Sequence, residues 1–227
     1  MQTIFSALQW WQKSRTDVTA LSLGGDNISY GEWVPWIERV AAQLLKMGVE
    51  KGDRVNACGA NSLEYCTLAM AAMRAGAIIV EDHAPRLIFA AEEQVEKFSG
   101  TGVPLHDFSD IAAMRQGESA DIACDLDPDD CVVIISTSGS TAKPKGVMFS
   151  HRTMTAYAMA NALEDGALRD GGGVIIVAPL ATSAGMVQLV HYSVLGCTLY
   201  FEPLFDAELF LDILIKEPIV NFAGAPA

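Results

Sequence analysis

The sequence is short of positive charge. Fifteen lysines and arginines stand against twenty-eight aspartates and glutamates, and the formal net charge is −13 over 227 residues. A nucleic-acid partner needs clustered Lys and Arg to displace phosphate counterions, so that class is excluded. Local recognition of a phosphorylated small molecule is not, because it works through backbone N–H groups, hydroxyls and single lysines. Histidine is scarce as well: His83, His106, His151 and His191 show no metal-ligand spacing. The five cysteines (Cys58, Cys66, Cys124, Cys131 and Cys197) are odd in number, scattered, and form no CxxC pair. That pattern excludes a disulfide framework and points to reduced thiols in a cytoplasmic protein. No run reaches the ~18 consecutive apolar residues of a membrane span. Met1–Ser14 has neither a basic leader nor a small-residue cleavage site, so no secretory signal is expected.

What is present is a globular composition with 51% hydrophobic residues, as expected where parallel strands are buried on both faces. Residues 2–13 read as a helix with Ile4, Leu8 and Trp11 on one face. Ala20–Leu23 and Asn27–Tyr30 read as strands around the turn Gly24-Gly25-Asp26. Ser29 and Glu32 fit a capping box opening a helix that runs to about Met47, with Gly48 as its C-cap. Arg54–Gly59 is a predicted strand, Asn61 or Ser62 the cap of a helix ending at Gly76, and Ala77–Val80 the next strand. Helices are expected at Ala90–Phe98 and Asp110–Gln116, and 121–130 reads as an acidic connector. Beyond it come strands at Cys131–Ser136, Val147–Ser150, Val174–Ala178, Cys197–Phe201 and Ile219–Phe222. Helices at His151–Leu163, Ala184–Leu195 and Asp206–Lys216 alternate with them. The expected fold class is α/β, with mostly parallel sheets and helices on both faces.

The chemistry concentrates in Ser136-Thr137-Ser138-Gly139-Ser140-Thr141-Ala142-Lys143-Pro144-Lys145-Gly146. Small residues after a buried strand can turn their N–H groups inward as an anion nest. Rotatable hydroxyls add donors, and Lys143 and Lys145 add positive charge around a stiffening Pro144. The same composition also suits a plain Ser/Thr-Gly surface turn. A Walker A loop is ruled out, since six residues separate Gly139 from Gly146 and Val147 follows.

Thr137–Gly146, with Val147-Met148-Phe149-Ser150-His151 after it, resembles the signature of the adenylate-forming superfamily, (S/T)SG(S/T)TGxPKG followed by a strand and Ser-His. Ala142 stands where that signature has glycine. Other segments resemble the same family in its order: Ser29-Tyr30-Gly31-Glu32 ("TYxEL"), Gly52-Asp53-Arg54-Val55 ("GDRV"), Asn61-Ser62-Leu63-Glu64-Tyr65 ("NSxEY") and Arg74-Ala75-Gly76-Ala77 ("RAGA"). Pro179-Leu180 with Ala184-Gly185 resembles "PLFHxAG", Phe205-Asp206 resembles "FD", and Gly224-Ala225-Pro226 resembles "GVP". The likeness spans nearly the whole chain. It is weakest between about Arg86 and Asp130, where the sequence is shorter than the family pattern.

The resemblance implies an AMP-forming acid–CoA ligase, with residues 1–227 as part of its N-terminal domain and no C-terminal domain among them. The implied substrates are ATP with Mg²⁺, a fatty, alicyclic or aromatic carboxylic acid, and coenzyme A. Thr137, Ser138, Gly139, Ser140, Thr141, Ala142, Lys145 and Gly146 would hold ATP phosphates, with Lys143 facing solvent. Ala181, Thr182, Gly185 and Gly224 would border the acyl pocket, Ala181 and Thr182 replacing a bulkier aromatic–His pair. His151 is either close to the site or a helix-start residue bonded locally. No side chain is implied as general base or metal ligand, because the acid is already a carboxylate near neutral pH. The family's adenine- and ribose-binding segments and its C-terminal lysine have no counterpart here, so the 227 residues alone are expected to be inactive. Two other readings stay open: an adenylation domain that loads a carrier protein, and a binding module that keeps the fold without catalysis. Oligomeric state is open, an oligomer included.

Overall fold

The computed structural model describes residues 3–80, 84–118, 120, 122, 124–137, 145–164 and 172–223. They form two compact units. One comprises residues 1–34, 60–63 and 152–227, and the other residues 35–59 and 64–151.

In the first unit α1 (Ile4–Ser14) opens with a capping box in which Thr3 accepts from the Ser6 N–H and Ser6 answers. Strands β1 (Thr19–Leu23) and β2 (Asp26–Ser29) form the expected hairpin. Gly24 and Gly25, both at positive φ, make its turn. Helix α2 (Tyr30–Lys46) follows, its first five residues in this unit and the rest in the second, and the Glu32 carboxylate accepts from the Ser29 N–H at 2.9 Å and from its hydroxyl at 2.8 Å. Later in the chain come β9 (Gly173–Ile176), α6 (Ser183–Leu195), β10 (Thr198–Phe201), α7 (Ala207–Lys216) and β11 (Ile219–Ala223). The sheet runs β11-β9-β10-β1-β2, parallel throughout except for the β1–β2 hairpin. Leu21, Val174, Ile175, Ile176, Leu189 and Leu199 are fully buried in its core. The Tyr30 hydroxyl donates to the Cys197 carbonyl at 2.8 Å, which satisfies a phenol that would otherwise be costly to bury.

In the second unit β3 (Arg54–Cys58), α3 (Leu63–Arg74) and β4 (Ile78–Val80) make a strand–helix–strand crossover between parallel neighbours. Next come β5 (Leu87–Ala90), a 3-10 helix at Glu92–Phe98, β6 (Leu105–Asp107), the short α4 (Phe108–Ala112), β7 (Cys131–Thr137) and β8 (Lys145–Ser150), after which α5 (His151–Glu164) begins. This sheet runs β6-β5-β3-β4-β7-β8, parallel except at β7–β8. No helix among the described residues is long and apolar enough to cross a membrane.

Two expectations are corrected. The helix predicted at Ala90–Phe98 is a 3-10 helix over Glu92–Phe98, and Ala90 instead closes the strand β5. Leu-Ile-Phe-Ala is buried throughout, and a run of four apolar residues carries no period to separate strand from helix. The predicted helix at Asp110–Gln116 starts earlier and ends at Ala112, behind a three-residue strand that no sequence pattern signals. Side chains from α2 hold the end of this helix and the turn beyond it: Trp36 Nε1 donates to the Ile111 carbonyl at 2.9 Å and Arg39 Nε to the Met114 carbonyl at 2.7 Å. Of the two candidate caps of α3, Ser62 stands directly before that helix, and the Asn61 amide is used elsewhere.

Candidate functional site

Strand β7 lies between β4 and β8 and is buried at Val132, Val133 and Ile135. Its register with β8 runs from Cys131↔Ser150 to Thr137↔Lys145. The last ladder step, Thr137↔Lys145, stands at the carboxyl end of a central parallel strand, where open α/β sheets bind ligands. Ser138, Gly139, Ser140, Thr141, Ala142, Lys143 and Pro144 lie outside the described residues. Thr137 closes β7, while Lys145 and Gly146 open β8 with exposed side chains or backbone.

The foot of the same hairpin is tied down. Asp130 precedes β7 and His151 follows β8, and the His151 N–H donates to the Asp130 carbonyl at 3.2 Å. The Asp130 carboxylate accepts from Lys51 Nζ at 2.7 Å and from the Asp127 N–H at 2.7 Å. The hydrogen bond to Asp130 holds the Lys51 ammonium pKa above its ordinary value. Burial pushes the His151 imidazole down to about 4, with Asp130 opposing and Lys51 assisting. Position 151 thus opens α5, with a backbone bond local to the hairpin foot.

In the first unit, the segment proposed to border the acyl pocket is a compact turn. Thr182 is the N-cap of α6: its hydroxyl accepts from the Gly185 N–H at 3.3 Å and donates to the Pro179 carbonyl at 2.7 Å. Gly185 is buried against backbone, and a Cβ there would lie 2.2 Å from the Pro179 oxygen. Ala181 is half-buried, and Gly224 lies outside the described residues. Asn61 pins the turn, accepting from the Leu180 N–H at 2.7 Å and donating to the Ala178 carbonyl at 3.4 Å. Sequence reasoning names Asn61 only as a cap, because no local pattern links it to a partner 119 residues away. The N-cap role of Thr182 is legible: a threonine directly before a long apolar run is a start signal.

Helix α6 then carries two buried polar atoms with no hydrogen-bond partner among the described residues, Gln188 Oε1 and His191 Nε2, one turn apart. The His191 ring stacks on Tyr192 with centroids 4.5 Å apart and meets Tyr157 edge-on at 5.3 Å. Burial alone brings its pKa down to about 4, so it is neutral near pH 7. Among the described residues no group of three or more His, Cys, Asp or Glu could hold a metal ion, and all five cysteines are free thiols.

Comparison with known proteins gives one consistent answer. The profile of the family described as AMP-binding enzyme matches residues 8–84 and 79–227. A feruloyl-CoA synthase from Amycolatopsis is 30% identical over 92% of this chain and 45% of its own length. A long-chain-fatty-acid–CoA ligase from Mycobacterium tuberculosis is 26% identical over 99% of this chain and 48% of its own. The chain therefore spans about half the length of the curated relatives it matches. The O-succinylbenzoate coenzyme A synthetase of Bacillus subtilis, solved in complex with AMP, shares the fold with a TM-score of 0.86 at 20% identity, over 96% of this chain and 61% of that one.

Proposed function

Because the chain belongs to the AMP-binding enzyme family, we propose that the whole protein is an AMP-forming acid–CoA ligase and that residues 1–227 form part of its N-terminal domain. The observation that supports this reading is the Thr137↔Lys145 step that closes β7–β8, which lies inside the matched region and flanks 138–144 in sequence. In the first half-reaction the acid's carboxylate oxygen attacks the α-phosphorus of ATP–Mg²⁺. An acyl–adenylate forms and pyrophosphate leaves with the electron pair of the broken P–O bond. In the second, the sulfur of coenzyme A takes the acyl group and AMP departs.

The protein's task is to hold anionic ATP and to stabilise charge moving onto pyrophosphate. Backbone N–H groups and hydroxyls from Thr137 to Thr141, with Ala142 and Gly146 shaping the turn, take the β- and γ-phosphates. Lys145 offsets their charge from the first position of β8. The Asp130–Lys51–His151 foot keeps the hairpin in register, as a positioning element remote from the reacting atoms. The Ala178–Gly185 turn, fixed by Asn61, forms the base of the acyl site, and Gly224 belongs to the same pocket. Gln188 and His191 add two polar contacts for the acid that the sequence does not suggest. Relatives named for feruloyl, long-chain fatty and succinylbenzoate substrates support a fatty, alicyclic or aromatic acid. Free thiols support a cytoplasmic location.

The test is steady-state kinetics of the natural gene product and its Thr141→Val variant. Loss of one hydroxyl contact to phosphate is expected to raise KM for ATP about tenfold with KM for the acid unchanged. An unchanged KM for ATP would remove the loop from the site.

A further inference from the structure

A buried polar atom without a partner costs free energy, so each one in a folded chain calls for an explanation. Among the described residues Gln188 Oε1 and His191 Nε2 are two such atoms. Both belong to α6 and stand three residues apart, which puts them on one helical face. His191 is only 6% accessible. Ser193 Oγ and Glu202 Oε1 share that state. Ser193, two residues past His191, belongs to another face of α6, and the other oxygen of Glu202 accepts from the Asp206 N–H at 2.7 Å. Only Gln188 and His191 form a pair. Aromatic rings wall it: the imidazole stacks on Tyr192 at 4.5 Å and meets Tyr157 of α5 edge-on at 5.3 Å. Burial lowers the imidazole pKa to about 4, so the ring is neutral near pH 7. A neutral ring beside an amide oxygen offers no charge for a carboxylate. The pair therefore suits an uncharged polar group.

An amide oxygen only accepts, while the Nε2 of a neutral imidazole donates or accepts according to its tautomer. A hydroxyl answers both at once, donating to Gln188 Oε1 and accepting from His191 Nε2–H. From this geometry we infer that Gln188 and His191 are specificity-determining residues that select an acid carrying a hydroxyl on its body, and a phenolic hydroxyl in particular. The inference deepens the ligase reading and rests on it. The Ala178–Gly185 turn, proposed as the base of the acyl site, runs directly into the helix that bears the pair. At ~1.5 Å of rise per residue, Gln188 and His191 lie roughly 4.5 and 9 Å along α6 from Gly185. An acid whose body follows the helix from the turn meets them with a distant substituent, and the surrounding ring faces and edges suit an aryl body. A plain alkyl or aryl body would leave both atoms buried and unanswered. That is how a hydrogen-bonding site rejects the analogue lacking the group.

The experiment is ATP–pyrophosphate exchange by the natural gene product with acids paired to differ by one hydroxyl: 4-hydroxycinnamate against cinnamate, 4-hydroxybenzoate against benzoate, and 16-hydroxyhexadecanoate against hexadecanoate. In at least one aryl pair kcat/KM should favour the hydroxylated acid about a hundredfold. Gln188→Met and His191→Phe keep the volume and remove the polar atoms. Each should bring that ratio down towards one. Neither should lower the thermal midpoint, because each removes a buried atom that lacks a partner. Exchange at equal kcat/KM within every pair overturns the inference alone and leaves a buried water as what answers the two atoms. A preference confined to the hexadecanoate pair overturns the phenolic assignment. A preference that survives both variants overturns the inference by placing selection elsewhere. No exchange with any acid, from a folded product, overturns the ligase reading and this inference with it.

Discussion

Single residues carry the most local consequences. Gly185 is the sharpest case, because any side chain there meets the Pro179 carbonyl at 2.2 Å. Gly185→Ala should destabilise the chain by roughly 1–3 kcal/mol, as overpacking does, and urea titration reads it directly. Asn61→Ala leaves the Leu180 N–H buried without its acceptor and should cost about 1–3 kcal/mol in the same assay. The buried histidines set an acid limit. His151 and His191 are lowered to about 4 from 6.5. Between those values the unfolded chain binds more protons than the folded one. Their contribution to stability is therefore complete above about pH 6.5 and is lost as pH falls through 4. Thermal midpoints should fall over that window, and His191→Gln should flatten part of the slope. Ala142→Gly restores the residue that the family signature carries. KM for ATP should fall about fivefold if a left-handed backbone is what the alanine resists, and kinetics on the gene product will show it.

The elements show how far a sequence can be read and where it fails. Where caps and glycines flank a long periodic run, prediction and structure coincide to within a residue or two. Helix α2 lies between Ser29 and Gly48, and α6 ends at Gly196 with φ +74. Strand β7 is legible because a buried apolar run ends abruptly in small polar residues, whereas its antiparallel pairing with β8 is not. Reading fails between residues 86 and 116, where elements are three to seven residues long. Strands β5 and β6 exist there because β3 offers an edge to pair with, and Trp36 and Arg39 hold the carbonyls of Ile111 and Met114. Neither cause leaves a local periodicity. The candidate site divides similarly. Its proposed phosphate loop is a contiguous string of residues and is readable, while the Asn61 anchor and the α6 pair Gln188–His191 arise only from folding. The hairpin foot is testable at this scale: Asp130→Asn weakens the tie to Lys51. It should raise KM for ATP while leaving KM for the acid unchanged, and Asp130→Glu should recover part of the loss.

For the whole molecule, family membership bears most directly on function. The chain spans about half the length of the curated relatives it matches, and the proposed phosphate loop and acyl-side turn both fall within that half. The 227 residues alone should therefore form no acyl-adenylate, which hydroxylamine trapping will detect if they do. The central claim is acid activation, and its most direct test is acid-dependent ATP–pyrophosphate exchange by the natural gene product with Mg²⁺, across fatty, alicyclic and aromatic acids. Exchange that depends on one of these groups and weakens in Thr141→Val is the predicted result. A folded product that exchanges with none of them would contradict the account.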